Sequence, residues 1–359
     1  MKMWDGDNMS NIRKIHPGVY IKDELEVIEM TSRELSARTG ISERTLSAII
    51  NGKGSITFDV AYKLSVFFDN SVNFWTNLQT EYDMYMKNEE IKNSLEEDYK
   101  LIKPLKKYLI ENKYINESDD NNEIVIKCRK LVGVNVLSLL NKRDPFICFK
   151  ELNVKTHDDF AQNFWLALAL NEARKKNVNA YDRTKLLTSI SEIRSMTVKN
   201  VDEFYPKLEA ILEECGISFV LLPYLTKSNI FGATKWFSKD NVMLAISNRG
   251  GRADLFWFTL FHEISHVLME HRREMLFNID NVEDNEADTM TSDMLIDRNE
   301  WDSFIKSNIF TEESIIKFAN KLDILPCIVL GRLHKELPNV VPYGMYDKSL
   351  GISYKIAYD

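Results

Sequence analysis

The stretch Phe256-Trp257-Phe258-Thr259-Leu260-Phe261-His262-Glu263-Ile264-Ser265-His266-Val267-Leu268-Met269 sets two histidines and a glutamate inside an almost unbroken apolar run. Residues four apart on an α-helix lie one above the other, so His262 and His266 can direct their imidazoles at one metal ion. Glu263 then stands beside the ion without binding it, placed to take a proton from a metal-bound water. Apolar residues on all sides of the run predict a helix buried in a core. Two histidines and a carboxylate in such a place, without a metal, would incur several kcal/mol of unpaired polar burial. The chain has only six histidines, so a His-Glu-x-x-His spacing carries weight against the plainer reading of histidines held by ordinary hydrogen bonds.

A catalytic zinc site with two histidines needs a third protein ligand and leaves its fourth position to water. Residues 282 to 296 read as a helix with Ala287, Met290, Met294 and Leu295 on one side. Asp284 and Asp288 share a face with Ala287 and Thr291. That placement suits Asp284 as the third metal ligand and Asp288 as the outer carboxylate that orients a ligand histidine through its other ring nitrogen. Glu286 is the alternative ligand, by the longer reach of its side chain, and a solvated acidic first turn is the plain structural alternative. Zn²⁺ is the expected ion, because tetrahedral nitrogen and oxygen ligation on a helix favours it over Mn²⁺ or Fe²⁺.

Together the two segments resemble the ImmA/IrrE family of zinc metallopeptidases, in which a His-Glu-x-x-His helix is joined to a downstream Glu-x-x-Ala-Asn/Asp-x-Phe-Ala-x-x-Leu-Leu helix. Here the second element reads Asp284, Ala287, Asp288, Met290, Thr291, Met294 and Leu295. It departs from the family pattern in Asp for Glu at the ligand position and Met-Thr for Phe-Ala, and Ser265 stands where a glycine is common. The resemblance implies a zincin-like fold with a strand just before the active-site helix, and Gly232-Ala-Thr-Lys-Trp and residues 242 to 249 fit that place. Val242 to Ser247 is short and apolar, bounded by Asn241 and Gly250-Gly251, and is predicted as a strand. It is either an edge that holds an extended substrate along Leu244 and Ile246 or a plain core strand. Arg249 and Asp254 frame the turn into the helix, either paired or solvated.

The reaction implied by the resemblance is hydrolysis of a peptide bond. His262, His266 and Asp284 hold the ion, which acidifies its water, and Glu263 accepts the water's proton and returns it to the leaving amine. The run Ile328 to His334 resembles the end of the family's peptidase domain, where a helix packs near the active site. His334 is placed there either as a hydrogen-bond donor to the oxyanion or on the surface. His271 either neighbours the metal from a loop or plays no part.

A second constellation lies at residues 31 to 53. Thr31 or Ser32 opens a helix with Glu34 set for a capping box, Leu35 faces the core, and Gly40 permits a tight turn. Ser42 caps a second helix that carries Leu46, Ile49 and Ile50 inward and stops at Asn51-Gly52. Two short helices joined by a turn containing glycine form the helix-turn-helix pattern, whose second helix reads the major groove. The region resembles the phage-repressor-like (XRE) class of that fold, and more closely the HigA-type antitoxin repressors. The motifs that carry the resemblance are His16-Pro-Gly, Asn51-Gly-Lys, Ser55-Ile-Thr-Phe-Asp-Val-Ala-Tyr-Lys-Leu and Phe74-Trp-Thr-Asn-Leu-Gln-Thr-Glu-Tyr-Asp. By position Ser42, Glu43, Arg44, Thr45 and Ser47 face the groove, and Lys53 and Thr57 contact phosphates. Residues 12 to 80 carry eight Lys and Arg against eight Asp and Glu, so this domain lacks the basic excess of a strong binder. A homodimer spanning two half-sites answers that weakness, and a helical interaction domain without DNA binding is the alternative.

At 359 residues the chain exceeds one typical domain, and its net charge of -8 argues against membrane binding or bulk nucleic-acid coating. Cys128, Cys148, Cys215 and Cys327 are scattered without metal spacing and read as reduced thiols, which with the lack of a signal peptide or spanning run predicts a cytoplasmic protein of bacterial or phage origin. The expected architecture is multi-domain and mostly α. It comprises a flexible start at 1–11, an all-α helix-turn-helix domain at 12–85 and a helical connector at 86–155. An α+β zincin-like metallopeptidase domain with a small sheet completes it at 156–359. Within the last, Phe204 to Cys215 is predicted as a helix ended by Gly216 that feeds a strand from Ile217 to Leu222, and Phe160, Phe164 and Trp165 as core.

The expected function is that of a DNA-binding regulator with a zinc endopeptidase that cuts a repressor or antitoxin, this chain included. The alternative is a HigA-like antitoxin and autorepressor, paired with a cognate toxin, whose zinc domain is a sensor or scaffold.

Overall fold

The computed structural model describes residues 15–141, 148–151, 159–270 and 282–354. The side chains of 148–151, 159 and 282–285 lie outside the description. The expectations for residues 1–11 and for His271 therefore fall outside the described residues. The chain divides into two compact units, Met1–Glu97 and Asp98–Asp359. Among the described residues no helix is long and apolar enough to cross a membrane.

The first unit is all-α, with α1 (Pro17–Val27), α2 (Ser32–Thr39), α3 (Glu43–Ile50), α4 (Phe58–Phe67) and the first part of α5 (Val72–Ile102). Each start has a local cause. The Oγ1 of Thr31 accepts the Glu34 N–H at 3.2 Å, Ser42 Oγ accepts the Thr45 N–H at 3.1 Å, and Thr57 Oγ1 accepts the Val60 N–H at 3.4 Å. Only half of the expected capping box forms at α2, because the Glu34 carboxylate is taken by Arg38 at 2.6 Å. Gly40 closes α2 in the left-handed region, with φ of 68°. The core of this unit is built from Ile21, Leu35, Leu46, Ile49, Leu64 and Trp75, all buried. Trp75 donates its indole N–H to Asn70 Oδ1 at 2.7 Å, and Gln79 Oε1 accepts the Ile56 N–H at 2.8 Å. The Phe74 to Asp83 motif is thus a structural brace under the turn before α4.

The second unit contains α6 (Lys106–Glu111), α7 (Asn121–Val132), β1 (Cys148–Glu151), α8 (Asp159–Lys175), α9 (Arg183–Ser195), α10 (Val201–Glu214), β2 (Ile217–Leu222), β3 (Ile230–Ser238) and β4 (Asn241–Ser247). It continues with α11 (Ala253–Leu268), α12 (Val282–Leu295), α13 (Arg298–Lys306), α14 (Glu312–Leu322), α15 (Pro326–Glu336) and α16 (Asp347–Leu350). Residues from 98 onward pack within this unit: Tyr108 donates to the Pro223 carbonyl at 3.2 Å, and Asn171 donates to the Leu131 carbonyl at 2.9 Å. The stretch expected as a connector over 86–155 is therefore divided between the two units at residue 97.

Among the described residues the strands form one four-stranded sheet in the order β1-β3-β4-β2. β4 runs parallel to β2, from Ile217 opposite Val242 to Leu222 opposite Ser247, and antiparallel to β3. This corrects the reading of Leu244 and Ile246 as a substrate-binding edge. Both lie in an interior strand, both are fully buried, and their backbone groups are already committed to neighbours on both sides. Helix α11 packs on this sheet in a core with Phe204, Phe256, Trp257 and Phe261. The Trp257 indole N–H reaches the Tyr354 hydroxyl at 2.8 Å, which anchors the C-terminal segment. Phe160, Phe164 and Trp165 are buried as expected. Cys128 and Cys327 are free and buried, and burial pushes both thiols up to about 12, so neither is a reactive thiolate at neutral pH.

Candidate functional site

The motif helix is buried throughout its last three turns, with His262 1%, Glu263 0% and His266 5% exposed. The Nε2 atoms of His262 and His266 face each other at 3.0 Å. Two ring nitrogens bound to one tetrahedral zinc ion at their usual distances stand about 3.3 Å apart, so the pair fits a shared ion to within a few tenths of an ångström. On its other side the His262 ring has Nδ1 2.8 Å from Oδ1 of Asp288, and the second oxygen of that carboxylate accepts from Lys335 Nζ at 2.6 Å. A histidine held at Nδ1 by a carboxylate is the tautomer that keeps Nε2 available to a metal.

Glu263 is held by residues that the motif alone does not reveal. The Thr234 hydroxyl, on β3, donates to Oε2 of Glu263 at 2.7 Å. Gly232, two residues earlier, lets the carboxylate approach the strand. A Cβ there would stand 2.7 Å from Glu263 Oε1 and 2.8 Å from Thr259 Cγ2. The signal for both residues is present in Gly232-Ala-Thr, but only the sheet register turns it into a contact. Ser265 and Thr291, two of the departures from the family pattern, explain each other: their hydroxyls meet at 3.0 Å and tie α11 to α12.

The other expected residues divide. Asp284 stands in α12 four residues before Asp288, with its side chain outside the described residues, and Glu286 is exposed. Among the described residues no group of three His, Cys, Asp or Glu side chains converges to hold a metal ion. His334 is neither on the surface nor an oxyanion donor. It is 1% exposed, with Nδ1 2.9 Å from the Val341 carbonyl and Nε2 3.1 Å from Asp347, so both ring nitrogens are spent on the C-terminal segment. Asp254 pairs with Arg252 at 2.6 Å in place of Arg249. The Arg249 guanidinium lies over the rings of Phe231 and Tyr224, at 4.6 and 5.0 Å from their centroids.

In the first unit, α2, the Gly40 turn and α3 form the helix-turn-helix. Ser42, Glu43, Arg44 and Ser47 are exposed and Thr45 is half-buried, so the start of α3 presents one polar face. Lys53 and Thr57 are exposed in the turn that follows and at the cap of α4. Two of these residues also have structural work. Ser42 and Thr57 cap their own helices, and Ser42 Oγ lies 2.8 Å from Thr45 Oγ1. On the opposite side Gly18 of α1 lies against α3, where a Cβ would stand 1.9 Å from the Ile49 carbonyl oxygen. This close approach is the physical content of His16-Pro-Gly, in which His16 caps α1 by accepting the Gly18 N–H at 3.0 Å.

The family model described as helix-turn-helix matches residues 22–75. The chain is 35% identical over 94 residues to the antitoxin HigA-1 of Vibrio cholerae, spanning 26% of this chain and 85% of that protein. It is 40% identical over 70 residues to virulence-associated protein A' of Dichelobacter nodosus, spanning 19% of this chain and 61% of that protein. Among solved structures, an addiction module antidote protein of the HigA family from Coxiella burnetii is 35% identical, covering 24% of this chain and 96% of that one, with a TM-score of 0.23. The N-terminal region of this chain belongs to the helix-turn-helix family of HigA-type antitoxins and regulators.

Proposed function

We propose that this protein is a transcriptional regulator that binds operator DNA through its first unit and carries a zinc-dependent endopeptidase in its second. Its substrate is a repressor or antitoxin protein, this chain included. The observation that supports the peptidase most is the convergence of His262 and His266 Nε2 at 3.0 Å on a buried helix, with Asp288 behind the first ring. His262, His266 and Asp284 are the proposed ligands. Bound there, Zn²⁺ supplies an acidified water and a polarised scissile carbonyl. Glu263 takes the proton of the attacking water and delivers it to the leaving amine, while the Thr234 hydroxyl fixes its second oxygen. The ImmA/IrrE-like part of this reading rests on these residues, and the HigA-type relatives support the DNA-binding part.

In the first unit α3 is proposed to lie in the major groove, with Arg44, Ser47 and their neighbours at base edges and Lys53 at a phosphate. The balanced charge of this unit favours a homodimer across two half-sites. The working compartment is the cytoplasm. A second reading keeps this DNA unit and makes the metal centre a sensor or scaffold in an antitoxin that also binds a cognate toxin. It is favoured by the antitoxin character of the matched relatives.

The test compares the zinc-loaded full chain with Glu263→Gln, each incubated with candidate repressors and with itself, and reads the products by mass spectrometry. Cleavage that persists in the variant removes Glu263 as the base. Absence of cleavage by the wild type with operator binding retained selects the second reading. Metal analysis of Asp284→Ala and Glu286→Ala identifies the third ligand, with zinc loss expected only in the former.

A further inference from the structure

A cavity of about 420 Å³ lies between α11, α12 and α15, with Asp288, the carboxylate 2.8 Å from His262, in its wall. Its walls are largely apolar: Phe231, Leu255, Phe258, Leu295, Ile328 and Tyr343. Pockets of this size and lining accept whole small ligands or large side chains with their flanking main chain. Phe258 and Thr259 stand one turn before His262 and Glu263 on α11, which is about 6 Å along the helix axis, and Leu255 lies about one turn further back. That distance is the reach of a side chain on a residue adjoining the carbonyl that Glu263 would serve.

The charged residues of the wall are already engaged with one another or with the backbone. Arg252 holds Asp254 through two hydrogen bonds, at 2.6 and 3.0 Å. Lys335 holds Asp288 at 2.6 Å. Arg332 binds Glu336 at 2.7 Å and the carbonyls of Ser292 and Ile296 at 2.9 and 3.1 Å. A charged guest would have to break one of these pairs or enter without a partner, which is costly in either case. An apolar guest gains by burial and, because Asp288 is part of the wall, removes water from around the 2.8 Å contact between Asp288 and His262.

We propose that this cavity is a specificity pocket for a bulky apolar side chain, aromatic or long aliphatic, on the peptide residue next to the bond cut. The assignment rests on the peptidase reading of the same site.

The experiment measures binding apart from hydrolysis. The full-length Glu263→Gln protein is zinc-loaded and titrated, by fluorescence anisotropy, into labelled nine-residue alanine-based peptides with a central Phe, Leu, Ala or Glu. Burial of a large side chain predicts Kd values about 10- to 100-fold lower for Phe and Leu than for Ala, with Glu weakest. Gly331 lies in the wall, and a Cβ there meets nothing nearer than Asp254 Oδ2 at 3.5 Å, so Gly331→Phe can grow into the cavity. It is expected to erase the Phe and Leu preference and to leave the Ala peptide's Kd within about threefold. Leu255→Ala, at a half-buried wall position, is expected to weaken the preference by about fivefold. Equal affinity for all four peptides, no binding, or a preference that survives both variants overturns the pocket. A preference lost in the variants, with the Phe peptide left uncut by zinc-loaded wild type, keeps the pocket and removes the hydrolysis.

Discussion

The Nδ1 atom of His262 sits 2.8 Å from Oδ1 of Asp288, and the same carboxylate reaches Lys335 through its other oxygen at 2.6 Å. One side chain on α12 thereby links the motif helix to α15. It fixes the His262 ring with Nε2 turned toward His266, where the ring rotation most affects any shared ligand.

Asp288→Asn retains the size of this side chain but removes its charge. Zinc affinity is expected to fall about 10- to 100-fold, read by competition with a chromophoric chelator. An affinity equal to wild type would show that Asp288 does not orient the ring.

Gly232→Ala tests how closely Glu263 is packed. The added methyl stands 2.7 Å from Oε1 of the carboxylate and must displace it. Overpacking of this kind costs about 1–3 kcal/mol, and a displacement near 1 Å lowers turnover roughly 100-fold. Zinc content is expected to stay at the wild-type level, since the histidines are untouched. The two readouts, denaturant midpoint and peptide hydrolysis, should move together with metal content constant.

Gly18→Ala addresses the first unit. No side-chain adjustment relieves a contact of 1.9 Å with a backbone oxygen, so α1 must move away from α3. The expected loss is at least about 1–3 kcal/mol, measured as earlier loss of amide protection in α1 and α3 on hydrogen exchange. Operator binding should weaken in parallel, because α1 braces the helix proposed to read DNA.

His16 makes the same helix pH-sensitive. Burial lowers its pKa from the ordinary 6.5, against smaller upward pulls from Asp83 and the Gly54 backbone. Its Nδ1 accepts the Gly18 N–H, which requires the neutral ring. In the window between the lowered value and 6.5 the unfolded chain binds the proton more readily than the folded one. The stability of this unit is therefore full above pH 6.5 and declines as pH falls through that window. His16→Asn keeps a capping oxygen without a titrating group, and its α1 exchange protection should be flat where that of wild type falls with pH. Parallel profiles for the two proteins would assign the decline to another group.

Much of the local structure could be read from neighbours in the chain. Thr31, Ser42 and Gly40 mark the ends of α2 and α3 because capping bonds span only two or three residues, and Ile217 to Leu222 is a strand by its short, largely apolar run. The position of β4 could not be read this way. A short apolar run looks the same at an edge and in the interior, and its place depended on β2 pairing on one side of it and β3 on the other. His334 posed a similar problem, since a histidine near the end of a helix gives no sign that Val341 and Asp347 will fold back onto both its nitrogens.

The spacing of His262, Glu263 and His266 sufficed to place two imidazoles on one helical face, because helix geometry is set by the backbone and repeats every turn. Which groups surround that face was settled by the fold. Thr234, Gly232, Asp288 and Lys335 come from three separate elements. They meet at the motif because burying the sheet, α12 and α15 against one apolar helix leaves them no other place, and hydrophobic packing acts through space without regard to distance along the chain.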